Sequence, residues 1–457
     1  MSRALTWIES AGIPAVGIVC KGFTSTVSLI ARFEGLPNVR VVEYPPPNIA
    51  VHTSDEVYKT ASQLCDQVVT ALTGALSKHE QIKNNADTTK RTDIVFKGDI
   101  RQVNDFFIEN VWSDGGPIIP PTIDEVEAFL RFTDQAPDEI IGRLPPKRLA
   151  ASVWKIAVNG VMAGCRPEYM PILITIVEAI TEPRFGLEQA GSTAGWSPLI
   201  ILNGPIIKQL GFTSGQGVLR PQNQANLTVS RFLRLCMVNI AGYRVGETDM
   251  ASFGRNYYPV LAEAEDLSPW PPFSTDRGYE RGDNVVTVQS ADTISHSYLT
   301  IGAASEQLRY IALEVAHELG ASMLYPMEHF GGEVSPVICL SPLTAGILAR
   351  GGYSKNDIRQ YLFEHARVPA WQFDDRLNRS QSGLTLRQSV KAGRLSQIFA
   401  LDDDPDRLVP VVHKPEEFMI VVSGSPNRNR NFIAAQYGDQ GLSVSKQIKL
   451  PTNWPLS

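Results

Sequence analysis

The spacing of apolar and polar positions changes period repeatedly along the chain, and each change marks an element. Residues 2–11 place Leu5, Ile8 and Ala11 at helical spacing, and Gly12-Ile13-Pro14 turns the chain into a short apolar run, Ala15 to Cys20. Helical spacing returns over Thr24–Phe33, an unpatterned strand follows over Val39–Tyr44, and Pro45-Pro46-Pro47 turns the chain again. A helix with the acidic start Ser54-Asp55-Glu56 then runs to about Leu76. Helices alternating with short continuous apolar runs predict a parallel sheet covered on both faces. The chain opens inside a helix, so the first strand expected of a parallel βα unit is missing from this region.

From Ser77 to about Gly98 the periodicity disappears into a polar stretch, read as a linker or surface excursion. The expected organisation is α/β: a small incomplete parallel βα domain over residues 1–80, a linker over 81–105, and a larger α/β domain over 106–457. The larger domain is expected to contain a mostly parallel or mixed sheet and the functional site.

In that larger part, Thr122-Ile123-Asp124-Glu125 starts a helix whose buried face is Val126, Phe129 and Leu130. A second helix is predicted from about Leu149 to Ala163, with Val153, Ile156, Ala157 and Val161 on one stripe. Strand Leu199–Leu202 ends in Asn203-Gly204-Pro205. An amide-rich loop, Gly215 to Asn226, precedes helix Leu227–Val238, and residues 256–283 read as a long ordered loop. Strand Val285–Gln289, helix Ser305–Leu319, strand Pro336–Leu340 and helix Leu343–Ala349 follow. Ser354-Lys355-Asn356-Asp357 forms a capping box, and a last buried strand, Phe418–Val422, opens into the cationic turn Gly424 to Asn431. The order of strand, turn with proline, helix and glycine stop is the same at Leu199–Gly211 and at Pro336–Gly352, although the identity between them is too thin to assert a duplication.

Candidate chemistry concentrates in AVNGVMAGCRPEYMP, residues 157–171. Gly164 suits a helix C-terminus and Pro167 the first turn of a new helix. Cys165 then sits beside Arg166 at a positive helix end, where a thiol pKa falls and a thiolate forms. Glu168 and Tyr169 are candidate proton donors or acceptors. Cys165 as nucleophile, as site lining and as packing between two helices all remain open at this point. Asn159, Arg166, Asn203, Gly204, Asn226, Asn427 and Arg428 are the candidate substrate contacts. Asn203, Asn226, Asp292 and Asn427 stand at strand ends or helix starts, where ligands of parallel sheets bind, and are expected to converge on the Cys165 junction.

Charge and composition narrow the classes. A chain of 457 residues with 43% hydrophobic and 20% charged positions has the composition of a globular protein of two or three domains. The net charge of -6 and pI near 5.7 argue against a nucleic-acid or anionic-membrane surface. Five dispersed cysteines without a CxxC pair suit free thiols in a reducing compartment, and no run is long and apolar enough to span a bilayer; a cytoplasmic location is expected. His317-Glu318, Glu328-His329 and His296 lack any HExxH or Cys/His metal spacing, so no metal site is assigned and metal binding ranks as a minor alternative. Neither GxGxxG nor a P-loop is present, so no nucleotide cofactor is expected.

Residues 11–47, AGIPAVGIVCKGFTSTVSLIARFEGLPNVRVVEYPPP, resemble the second half of the UGSC family of selenoproteins, a region similar to a selenoprotein subunit of glycine reductase. The resemblance lies in a helix ending in GIP, a strand, a helix, GLP, and a strand closed by prolines. It implies a selenocysteine- or cysteine-containing loop ahead of this segment, at a position that falls before Met1. Cys20 falls in the following strand, where burial in the sheet leaves a thiol inert. The blocks WSDGGPIIPPT, VNGVMAGCRPEYMP, LIILNGPI, ANLTVSRFLRL, LARGGYSKNDIRQYL and FMIVVSGSP resemble the domain fused behind that segment in some members of the family.

Two function classes follow. The first is an enzyme acting on a small polar, carboxylated or sulfur-containing metabolite by thiol-assisted or acid–base chemistry of lyase, cyclase or transfer type, expected to form a homo-oligomer. The second is a non-catalytic or redox-accessory subunit of a selenoprotein-like reductase complex, whose partner supplies the redox loop.

Overall fold

The computed structural model describes residues 2–34, 36, 39–74, 92–254, 258–322, 333–378, 384–436 and 441–454. The polar run 77–91 and the pair Glu328-His329 lie outside them, as does the side chain of Asp292.

The N-terminal segment folds as its spacing predicts. Helix α1 (Ser2–Ser10) leads to strand β1 (Val16–Cys20), helix α2 (Thr24–Phe33), strand β2 (Arg40–Tyr44) and helix α3 (Ser54–Thr73). Thr53 and Glu56 cap α3 reciprocally. The two strands pair in parallel, Val16 opposite Arg40 through Cys20 opposite Tyr44, and each has one strand neighbour among the described residues. Leu5, Val19 and Val27 make a small core, while Trp7, Ile13 and Ile18 stay 60%, 58% and 44% exposed. Glu34 pairs with Arg148 of the larger unit at 2.8 Å, and Lys147 lies over the Phe33 ring.

The larger unit opens with helices α4 (Ile100–Glu109) and α5 (Ile123–Leu130), then a hairpin of β3 (Ile140–Leu144) and β4 (Leu149–Ser152). Helix α6 (Val153–Ala163) follows directly, capped by the Ser152 hydroxyl on the Lys155 N–H. The helix expected from Leu149 therefore starts four residues later. Residues 149–152 pair with β3, and the cap fixes the switch. Helix α7 (Met170–Thr181) is buried on nearly every side, because it lies between α6 and the sheet beyond. A Cβ on Gly160 of α6 would meet Leu173 of α7 and Phe129 of α5, each at 2.7 Å, so glycine is what lets three helices close together.

Two four-stranded cores follow. The first sheet runs β6 (Val260–Ala262), β5 (Leu199–Asn203), β7 (Val285–Gln289), β15 (Val444–Gln447); helices α8 (Ile206–Gln209), α9 (Gln224–Cys236) and α10 (Phe273–Asp276) lie between its members in sequence. The second runs β13 (Met419–Val422), β10 (Val337–Leu340), β14 (Arg430–Gln436), β8 (Ala291–Ile294), with the short β9 (Tyr298–Leu299) also on β14. Helices α11 (Ala304–Ser322), α12 (Pro342–Arg350) and α13 (Lys355–His365) and the pair β11 (Arg367–Pro369) and β12 (Leu408–Pro410) complete the second half.

The two sheets pack face to face. Leu199, Ile201 and Leu261 of the first meet Val337, Cys339 and Val421 of the second, while the alternate residues face helices. Ile200 and Leu202 join the core containing α6 and α7, and Ile338 and Leu340 join that of α11. The result is four layers, helices, sheet, sheet, helices, and the central strands are buried on both faces.

Both sheets also share one pattern of directions: a parallel outer pair (β6 with β5, β13 with β10), then two antiparallel steps. Each half exchanges its fourth strand. β7 passes through Ser290 into β8, which joins the second sheet, and the strand after β14, β15, returns to the first. The entries match as well, Ser197-Pro198 before β5 and Ser335-Pro336 before β10. The sheets are thus mixed, and the repeated grammar of residues 199–211 and 336–352 corresponds to equivalent strands. Strand β6 lies inside the stretch expected to be a loop; three residues flanked by Pro259 and Glu263 carry too little pattern to show. No helix among the described residues is long and apolar enough to cross a membrane.

Candidate functional site

Gly164 ends α6 in a left-handed conformation, φ 78°, and the Cys165 N–H returns to the Gly160 carbonyl at 3.0 Å. The following helix begins as a single 3-10 turn, Pro167–Tyr169, before α7. Its short axis offers little dipole to the thiol. Arg166 turns outward, 56% exposed, and pairs with Glu168 at 3.3 Å. Cys165 is 8% exposed, and burial pushes its thiol up to about 12 despite the hydrogen bond with Thr228 and the nearby Arg231. The lowered thiol pKa expected from sequence is reversed, because desolvation outweighs both favourable neighbours. Tyr169, 2% exposed, is also raised by burial and packs against Phe212 with ring centroids 5.6 Å apart.

The amides at strand ends and helix starts have their own partners. Asn203, at the end of β5, donates to Glu263 at 2.5 Å and Glu265 at 2.9 Å, and the Gly204 N–H also meets Glu265. Glu263 is 1% exposed and accepts from the Phe273 and Val422 N–H groups as well, joining both sheets; burial raises its carboxyl to about 7. Asn226 binds the Thr213 N–H and carbonyl and the Val260 carbonyl, so it fixes α9 to β6. Asn427 and Arg428 lie exposed in the turn after β13, where Arg428 donates to the Asn427 carbonyl. Asn203, Asn226 and Asn427 thus serve three separate networks. His296 is exposed beside Glu318 at 3.5 Å, and the described residues hold no group of three or more His, Cys, Asp or Glu side chains arranged for a metal ion.

One candidate contact, Asn159, lines a cavity of about 880 Å³ between α6, α4, residues 92–98 and the Trp112 to Asp124 segment. Its buried inner wall comprises Phe107, Asn159, Met162 and Ile240; Trp112, Trp154 and Val158 are half-buried, and the charged residues lining it, Asp93, Lys97, Asp124 and Lys155, are exposed. Asn159 donates to the Lys155 carbonyl, and Asn239 donates to both Asn159 Oδ1 and the Trp112 carbonyl, all at 2.9 Å. Those acceptors fix the orientation of both amides. Asn239 Oδ1 is shielded from solvent and has no donor among the described residues.

Local backbone irregularity surrounds this pair. Asn239 sits in a π-helical turn, Met237–Ala241, and Val111, just before Trp112, is held at φ 53°, a conformation β-branched residues avoid. Two residues on, Asp114 takes a bidentate grip on Arg231 and pairs with Arg234 at 2.9 Å, clamping this turn to α9. These cations and the Gly116 backbone hold the Asp114 carboxyl low although burial opposes them. Sequence reasoning passed over Trp112, Asp114, Trp154, Lys155 and Asn239. The Trp-Ser-Asp turn and the two arginines three apart on α9 were the available signals.

No curated protein and no solved structure matches the chain. Beyond residue 74 no family matches either. Residues 4–74, spanning α1 to α3, match the UGSC family.

Proposed function

We infer that the larger unit is an enzyme that holds a small metabolite in the cavity beside Trp112 and Trp154 and acts on it by acid–base chemistry of lyase, cyclase or transfer type. The observation that carries this reading is the cavity itself, about 880 Å³ and apolar, with the Asn159–Asn239 amide pair on its wall. Asp124 and Lys155 are the ionisable groups proposed to move protons. A thiol-assisted route has less support, since Cys165 is buried, protonated at neutral pH and outside the cavity lining. Homo-oligomer formation belongs to the same reading and rests on the exposed Trp7 and Ile13.

The test is a metabolite library screened by tryptophan fluorescence and turnover. Ligand responses are expected in the wild type and lost in Val158→Arg, which puts a long charged side chain into the apolar wall. Asp124→Asn or Lys155→Met is expected to keep binding and lose about a hundredfold or more in turnover. If every response survives Val158→Arg, the cavity is not the site.

The accessory-subunit reading is favoured by one observation, the two-stranded β1–β2 sheet with Ile18 exposed. Co-purification of a redox subunit that leaves when Ile18→Lys is introduced would favour it.

A further inference from the structure

We propose that the molecule taken by this cavity has a largely apolar body and an uncharged hydrogen-bonding head, a hydroxyl, carbonyl or amide, set against the Asn159–Asn239 pair. This rests on the reading of the cavity as the site and narrows its substrate away from small carboxylated metabolites.

Size comes first. A volume of about 880 Å³ is far more than a glycine- or cysteine-sized molecule fills, and an unfilled apolar wall returns nothing on binding. The wall is apolar where it is deepest: Phe107, Met162 and Ile240 are all nearly inaccessible to solvent.

Charge decides the head. The acidic and basic residues of the lining, Asp93, Lys97, Asp124 and Lys155, are all exposed, two of each type, so the mouth carries no net preference. The buried polar residue on the inner wall is an amide, Asn159. A carboxylate or ammonium brought there would lose its water without meeting an opposite charge, a cost of several kcal/mol.

Hydrogen bonding then specifies the neutral head. Asn159 donates one of its two amide hydrogens to the Lys155 carbonyl, and its Oδ1 receives one from Asn239. Asn239 spends its N–H groups on Asn159 and on Trp112, which leaves its Oδ1 as an acceptor without a donor among the described residues. Asn239 Oδ1 is itself shielded from solvent, so the group of the pair left for a ligand is the second Nδ2–H of Asn159, a donor held in place by Asn239. The oxygen of a hydroxyl, a carbonyl or an amide accepts from it without carrying a charge.

Isothermal titration with a matched series tests this near neutral pH: 2-naphthaleneethanol, 2-naphthaleneacetate and 2-naphthaleneethylamine share a body and differ in head charge, with glycine and cysteine as small polar probes. The alcohol is expected to bind at least about tenfold tighter than either charged analogue, to be excluded by Val158→Arg, and to lose most of that preference in Asn159→Leu. Asn239→Ser, in a half-buried position, repeats the last measurement if Asn159→Leu fails to fold. Tighter binding of the charged analogues, or binding of glycine or cysteine alone, with Val158→Arg blocking it, overturns the proposed class and leaves the cavity as the site. Binding of no probe, or binding that persists in Val158→Arg, overturns both.

Discussion

Burial sets the chemistry of individual groups here more than proximity does. Cys165, Cys236 and Cys339 are buried with raised thiol pKa values, whereas Cys65 is exposed on α3 and Cys20 is half-buried. Brief treatment of the native protein with iodoacetamide, read by peptide mass spectrometry, should label Cys65 first and leave Cys165 unmodified until the chain is denatured; fast labelling of Cys165 would restore the thiolate route. Glu263 is raised to about 7 by burial, opposed by Lys355 and by the Phe273, Asn203 and Val422 donors, and Glu417 is raised to about 7 in the same way. A carboxyl whose folded pKa lies above its unfolded value contributes stability that is complete below about 4.5 and is lost as pH rises through about 7. Glu263→Gln cannot ionise, so its melting temperature relative to wild type should be more favourable at pH 8 than at pH 5. An equal offset at both values would show that Glu263 keeps its ordinary pKa.

At the scale of elements, the interactions that shape the cavity are not visible in apolar spacing. The clamp of Asp114 on Arg231 and Arg234 joins a turn to a helix 117 residues away, with the carboxylate 10% and the guanidinium groups 19% and 26% exposed. Asp114→Asn leaves two partly buried cations short of their partner and should cost about 2–3 kcal/mol, measurable by urea unfolding. Because the same turn carries Trp112 to the cavity, ligand binding should weaken in parallel; unchanged stability would reduce the clamp to a surface contact. The helices with strong periodicity were legible: α11 buries Leu308, Ile311, Ala312, Val315 and Leu319 as their spacing predicts, and Ser354 and Asp357 cap α13 reciprocally. The strands β5, β7, β10 and β13 were legible as continuous apolar runs. The π-turn at Asn239 and the left-handed Val111 were not, since neither leaves a mark in apolar spacing, and the bond from Asn239 to the Trp112 carbonyl joins residues 127 apart. The Cys165 junction drew attention through residue types that favour a reactive thiol at an open helix end. Its burial, supplied by α9, could not be read locally.

The whole molecule explains why the repeated strand, turn and helix grammar mattered more than its thin identity suggested. Two halves of equivalent strand order pack sheet on sheet, and each completes the other's sheet with its fourth strand. Without β15, β7 would expose the edge that Val444 to Gln447 now cover, and without β8, β14 would lose its pairing from Ala434 to Gln436. Each open edge would belong to a largely buried strand and invite aggregation. Cleaving the gene in the exposed turn after Gly302 tests this exchange, because that position separates β5–β9 from β10–β15 without cutting a strand. Fragments 1–302 and 303–457 produced together should form a 1:1 complex with the far-ultraviolet spectrum of the intact chain, and each produced alone should aggregate. A soluble monomeric fragment with native-like thermal unfolding would mean that one half carries its own complete sheet. The cavity lies wholly in the first fragment, so in the complex it should retain ligand binding that Val158→Arg removes. Loss of binding in an otherwise native complex would mean that the second half stabilises the cavity from a distance.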